Sequence, residues 1–411
     1  MLKRSVYLAC ILCVSPLVYA QEAASGISVP VAISGVARSE PGESPVTAGF
    51  RAVVSPTLKL GPHWFFYSAI EARSSDYFDY KTGASNGRAV DARILQAFAG
   101  YETRLGRVSL LLKAGEMTSA FGLFPSEYRD QDMPLIDAPP PYVATLPLRP
   151  DQQPCGLWDL AAQEYDSPIS FRCGGSATAA YGLVPVSLYA IPAAEADISI
   201  SRFDARVQLT NSSPSNPQPL ASRSQYPQWT MGAGYTFPGG LHIGVSGFRG
   251  PYLDRSLAQF ALPAKPVRSF QASGLGLEAT WARGPWAMEG EWMHFRFELP
   301  NFVISPSESA AYAQVKRIIS PRVFVAARAS VSHPNDVIDA AGIAGAFAAR
   351  QQSYEVGAGY RLSRVQLLKA GFTWVHGSPW SAGNWFWSPE DHTRFEVQLV
   401  TSFPAISKSF R

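Results

Sequence analysis

The sequence predicts an all-β chain, a transmembrane antiparallel β-barrel of about 16 strands (roughly 14 to 18), on three observations. Apolar and polar residues alternate with period two over segments of about ten residues, the length a tilted strand needs to cross a bilayer. Charged residues make up only 16% of the chain while hydrophobic residues reach 46%, so the surface is short of charge compared with the quarter or so usual in soluble domains. Short reversals rich in Gly and Pro alternate with long connections, giving one tidy rim and one loop-rich rim.

Residues 1–20 read as an export signal: Lys3 and Arg4 open it, Val6 to Val18 is mostly apolar, and Val18-Tyr19-Ala20 closes it as a cleavage site. The barrel is expected over 21–411. After Ala20 there is no apolar run long enough for a membrane helix, which excludes a helical bundle. With 35 basic against 32 acidic residues the chain is also too evenly charged for a polybasic nucleic-acid binder.

Strands are expected, in order, at Ser28 to Ala37, Phe50 to Leu60, His63 to Arg73, Arg93 to Thr103, Val108 to Thr118, Ala179 to Ala190, Ser201 to Thr210 and Gln228 to Phe237. The second half adds Leu241 to Arg249, Ser269 to Trp281, Trp286 to Phe297, Ala310 to Ile319, Arg322 to Val331, Tyr354 to Leu362, Val365 to Trp374 and Arg394 to Thr401. The pattern is plain in Phe203, Ala205, Val207 and Leu209, which alternate with Asp204, Arg206, Gln208 and Thr210. Aromatic residues such as Trp64, Trp229, Tyr235, Trp286, Trp292, Tyr360, Trp374 and Phe403 gather near strand ends, as girdles at two membrane interfaces require. A soluble sandwich would alternate similarly but carry more Lys and Glu on its exposed face.

If the apolar phase meets lipid, the opposite phase lines the lumen. Its charged and imidazole members are Arg51, Lys59, Glu71, Arg73, Lys113, Asp204, Arg206, His242, Glu278, Glu289, Glu291, Lys316, Arg328, Glu355, Lys369, Arg394 and Glu396. A mixed-charge interior of this kind fits a water-filled passage, and buried ion pairs in a filled lumen would use the same residues. The longest connection, a loop insertion at 119–178, is far above the usual length and is expected to fold into or over the mouth. Arg129, Asp130, Asp132, Asp137, Arg149 and Asp151 are its candidate constriction residues. Cys155 and Cys173 are the cysteines left after the signal, and in an exported chain they are expected to form a disulfide.

Lys113-Ala114-Gly115-Glu116 followed by Ala120-Phe121-Gly122-Leu123, together with the signal and the strand pattern, resembles the Gram-negative outer-membrane porins, loosely the phosphate-selective ones. The resemblance implies the outer membrane of a Gram-negative bacterium, a homotrimer, and passive diffusion of small hydrophilic solutes or ions. The chain departs from that family in having no concentrated Lys or Arg ladder, and Phe410 is followed by Arg411. The partners expected are outer-membrane lipid and small solutes, with no nucleic acid, no cofactor and no metal. No enzyme is expected: none of the six histidines sits in His-Glu-x-x-His or Gly-x-Ser-x-Gly company, Gly244-Val245-Ser246-Gly247 is not a nucleophile elbow, and Glu289 and Glu291 are same-face strand neighbours about 7 Å apart. The other functional class these residues allow is a structural or adhesion-type barrel with a plugged lumen.

Overall fold

The computed structural model describes residues 25–40, 44–74, 90–127, 129–142, 146–162, 173, 183–211, 213–216, 227–259, 265–377 and 391–409. The expected signal, 1–20, lies outside them. Sixteen antiparallel wall strands form one closed sheet. They are β1 (Gly26–Glu40), β2 (Ser44–Val54, resuming at Thr57–Leu60), β3 (Trp64–Ser74), β4 (Val90–Leu105), β5 (Val108–Met117), β6 (Ile191–Ile200), β7 (Phe203–Thr210) and β8 (Gln228–Thr236). The second half comprises β9 (Leu241–Pro251), β10 (Gln271–Arg283), β11 (Trp286–Phe297), β12 (Ser307–Ser320), β13 (Val323–Pro334), β14 (Gln351–Arg361), β15 (Gln366–Gly377) and β16 (His392–Ser409). The break in β2 falls at Pro56, which has no N–H to donate, and both pieces pair with β1 on one side and β3 on the other.

The sheet closes where β1 pairs with β16, from Gly26 opposite Ser409 to Ser39 opposite Phe395. Closure leaves no unpaired edge, the condition a sheet must meet in hydrocarbon. One rim is made of tight turns. β4 to β5 and β10 to β11 each reverse over two residues, with Gly106 and Gly284 at φ of 64° and 60°, a conformation glycine adopts without a Cβ clash. The other rim carries the long connections, among them a three-stranded sheet of Phe302–Ile304, Asp336–Asp339 and Ala344–Ala346.

Side chains alternate across the wall in the sense opposite to a soluble barrel. On β7, Phe203, Val207 and Leu209 are exposed and Gln208 and Thr210 are buried; on β14, Tyr354, Val356 and Tyr360 are exposed and Ser353 and Glu355 are buried. Trp64, Trp229, Trp286, Tyr235, Tyr360 and Phe403 are exposed toward strand ends, while Trp292, expected there too, is exposed at mid-strand. So much exposed apolar surface, bounded by aromatics, is a lipid-facing belt.

One expected strand is misplaced. The alternation predicts a strand over Ala179 to Ala190, but among the described residues 183–190 belong to the loop, and the wall strand is β6, which begins at Ile191. Leu183, Val186, Leu188 and Tyr189 are buried in the apolar core of the loop, so their periodicity reports packing there and not in the wall. The great loop therefore runs over 118–190, longer than the expected insertion.

Candidate functional site

The seventeen charged and imidazole residues predicted for the lumen all stand on the inner face, in phase with the buried positions of their strands. The structure sorts them by partner. Glu71 is ringed by arginines, with Arg51 at 2.5 Å, Arg93 at 2.9 Å and Arg73 at 3.6 Å. Lys113 bridges Glu195 and Asp197, the latter at 2.9 Å. Arg206 lies 3.7 Å from Glu278, and His242 3.8 Å from Asp204. Gln314 donates to Glu289 at 2.7 Å, Lys316 rests over the Phe324 ring at 4.6 Å, and Lys59 is opposite Phe65. Arg328 pairs with Glu355, and Arg38 with Glu396 at 2.6 Å.

The remaining inner-face groups, Glu291, Lys369 and Arg394, hold the great loop. It leaves β5 and turns inward at once: Gln208 donates to the Thr118 carbonyl at 2.9 Å, and Phe121, fully buried, packs edge-on against Phe248 and beside Phe295. The N–H groups of Leu123 and Phe124 donate to one Glu291 oxygen at 2.6 and 3.0 Å, and the Tyr142 hydroxyl donates to the other. Gly122 sits between them with φ 73°, and a Cβ there would fall 1.9 Å from the Tyr142 hydroxyl. Only glycine satisfies both the backbone and the space. Burial, reinforced by the Glu291 carboxylate, drives the Tyr142 pKa well up, so this hydroxyl keeps its proton to donate.

The loop then crosses to the opposite wall. Asp130 accepts from Arg51 at 2.8 Å and Ser34 at 2.6 Å, and the Lys369 ammonium donates to the carbonyls of Asp130, Met133 and Leu135 at 2.9 to 3.3 Å. Asp137 meets Arg394 at 2.7 Å and Arg38 at 3.2 Å, while Arg328 donates to its carbonyl at 2.8 Å. Burial works against charge on Asp137, but Arg394, Arg38 and Arg328 outweigh it and hold the carboxyl below the ordinary aspartate range. Of the six predicted constriction residues, then, Asp130 and Asp137 are anchors to the wall. Arg129 and Asp132 keep solvent contact on the crossing segment, and the partial loss of hydration beside the surrounding protein lifts the Asp132 pKa despite nearby cations. Arg149 and Asp151 pair with each other at 2.7 Å further along.

Beyond the crossing, the loop builds an apolar cap. Leu146, Leu148, Leu157, Leu160 and Leu183 join Tyr252, Leu253, Leu257, Phe297, Leu299, Val337 and Phe347 from neighbouring connections in one buried cluster. Cys155 and Cys173 are bonded, with Cα atoms 5.3 Å apart. Asp339 fastens the cap, accepting from Leu157, Ala341 and Ile343 N–H groups.

Sequence reasoning missed several members. Glu195 and Asp197 were lost with the misplaced β6. Ser34 and Arg38 lie in phase on β1 beside Val36, a signal available from alternation alone. Tyr142 stood in the Pro139-Pro140-Pro141-Tyr142 run but carried no strand pattern to assign it. Among the described residues, no group of three or more His, Cys, Asp or Glu is placed to hold a metal ion.

No known protein family matches the chain, and no curated protein matches it in sequence. Solved structures do. Pseudomonas putida OprB is similar at 11% identity and TM-score 0.55, covering 92% of this chain and 94% of that one. The outer membrane channel DcaP of Acinetobacter baumannii is similar at 9% identity and TM-score 0.54, covering 92% and 97%. The trimer form of OmpT, an outer membrane protein of Vibrio cholerae, is similar at 10% identity and TM-score 0.50, covering 92% and 100%. What these proteins share with the chain is the fold, that of the outer-membrane porins. Together with the apolar belt, it marks the chain as an outer-membrane barrel of a Gram-negative bacterium.

Proposed function

We propose that the protein is a porin-like channel for passive diffusion of small hydrophilic solutes or ions, narrowed by the loop at 118–190. One observation supports this above others: the anchors of the crossing segment 119–142 draw on β1, β2, β7, β9, β11 and β13 to β16, whereas Lys113 and the Arg73–Glu71–Arg93 cluster pair within the wall. Side chains along that strip keep solvent contact, Arg93 at 34% and Asp197 at 28%, and Asp204 beyond it at 49%. A charged, wetted strip facing a pinned loop is the geometry of a narrowed aqueous path. The lumen residues predicted from sequence are the lining of that path in this reading, and the protein assembles as a homotrimer, as the trimer form of OmpT does.

A plugged, interaction-type barrel is the second reading, favoured by the apolar cap over the loop-rich mouth. Single-channel recording from the purified mature protein in a planar bilayer separates them. Stable ohmic steps support the channel; a folded barrel that inserts and never conducts supports the plug.

A further inference from the structure

A basic row interrupts the outer, lipid-facing wall at its loop-rich end. Arg249 on β9, Ser273 on β10, Arg296 on β11 and Ser307 on β12 are directly opposite one another across three strand pairs. Residues so paired share one face of a sheet. That face is the outer one: their strand neighbours Phe248, Phe295 and Phe297 are buried inside, while Leu275 and Trp292 are exposed on the same side as the row. One step nearer the membrane centre, His294 is opposite Ser309 and hydrogen-bonded to it at 3.0 Å, and it stacks on Trp292.

The charges there are poorly matched within the protein. Arg249 donates to the Gln271 amide oxygen at 2.5 Å, a neutral partner, and among the described residues Arg296 has no hydrogen-bond or ion-pair partner. The connection joining β9 to β10 adds exposed Lys265 and Arg268. Nearby acids are Asp254, which caps the Ser256 N–H at 2.8 Å, and Glu298, which accepts from the Gln271 N–H at 3.3 Å. By contrast, Arg317 at the tidy rim is covered by Trp286 at 4.9 Å. Trp229, directly opposite Arg249 and at the end of its strand, puts the row at the depth of the aromatic girdle, where lipid headgroups begin. An unpaired guanidinium on a lipid-facing wall is costly in hydrocarbon and favourable beside a phosphate, which its planar fork engages through two charge-assisted bonds.

We propose that Arg249, Ser273 and Arg296, flanked by His294 and the basic β9–β10 connection, bind the phosphorylated headgroup of a lipid of the outer leaflet. The two arginines, two strands or about 10 Å apart at their Cα atoms, reach one phosphate from either side or two phosphates on one headgroup. The site rests on the outer-membrane reading of the barrel, and it is independent of whether the lumen conducts.

The test uses the full mature protein in detergent, with bis-phosphorylated lipid A as probe and native mass spectrometry as readout. Wild type is expected to retain the lipid, the variant R249Q/R296Q to bind it at least about tenfold more weakly, and monophosphorylated lipid A to bind with intermediate strength. Equal retention by wild type and variant would overturn the site, and so would displacement by equimolar inorganic phosphate, which would make the ligand free phosphate. Both proteins are first checked for heat-modifiable migration and insertion into liposomes. A wild type that fails to insert overturns the barrel reading itself, whereas an inserted wild type that retains no lipid overturns this site alone.

Discussion

Arg38 on β1 and Asp137 on the great loop are 99 positions apart in sequence and 3.2 Å apart in space. Arg394 on β16 closes on the other oxygen of the same carboxylate at 2.7 Å, so one aspartate ties the loop to both sides of the seam where the barrel closes. Replacing Asp137 by Asn leaves two enclosed guanidinium groups against a neutral amide, a change that costs about 3 kcal/mol of loop docking. The expected result is larger, noisier single-channel steps from a barrel that still folds. Steps identical to wild type would remove Asp137 from its role as the anchor.

Asp132 and Asp137 depart from the ordinary aspartate value of 3.8 in opposite directions, the first raised and the second lowered. As pH falls, Asp132 gains its proton first, above that value, and ion preference should shift toward anions while the loop stays docked. A depressed folded pKa means that the docking contribution of Asp137 is complete above 3.8 and is lost only as pH falls through the lower folded value. Reversal potentials recorded through a pH series should therefore move before conductance does. The variant D132N should abolish the first movement and leave the second.

Gly122 separates the loop's first turn from Tyr142 and Glu291. Gly122→Ala meets both a left-handed φ and a hydroxyl at 1.9 Å, so it should displace Tyr142 and destabilise the loop by about 2 to 4 kcal/mol. Limited proteolysis reads this as faster cleavage within 119–142, with the wall strands still protected. Tyr142→Phe, which removes one hydrogen bond and only the volume of the hydroxyl, should give a smaller effect in the same assay.

The Arg73 and Arg93 side chains flank Glu71 on the wetted strip. Neutralising both to Gln should turn the reversal potential in a salt gradient toward cations, with unchanged thermal stability in detergent. No change in ion preference would place the conducting path elsewhere in the lumen.

Joining Cys155 to Cys173 closes a loop of sequence separation 18, worth about 3 kcal/mol to the cap by loop-closure entropy. Reduction, or a double Ser variant, should make the cap exchange amide hydrogens faster while wall strands keep their protection. Equal exchange in both forms would mean that the apolar cluster alone holds the cap.

The wall was largely legible in the sequence because a membrane barrel writes its geometry as period two, and fifteen of the sixteen expected strands overlap wall strands. The failure at β6 is instructive. Ile191–Ile200 offers Pro192 and two alanines before its first charge, Glu195, whereas Leu183, Val186, Leu188 and Tyr189 are apolar and buried in the cap. Period two reports a chain with two unlike sides, and a cap segment can have those too. The lumen phase was legible for the same reason as the wall. What the sequence withheld was partnership: nothing local in Asp137-Ala138-Pro139 says that its carboxylate meets arginines on β1 and β16, since that pairing exists only once the cylinder is closed.

The seam between β1 and β16 also bears on how the molecule is made. Gly26 pairs with Ser409, so the first wall strand waits for the last before its outer hydrogen-bonding edge is covered. Contacts so distant along the chain form slowly and expose strand edges meanwhile. Truncation at the β16 end should therefore produce an open ribbon prone to aggregate instead of a smaller pore.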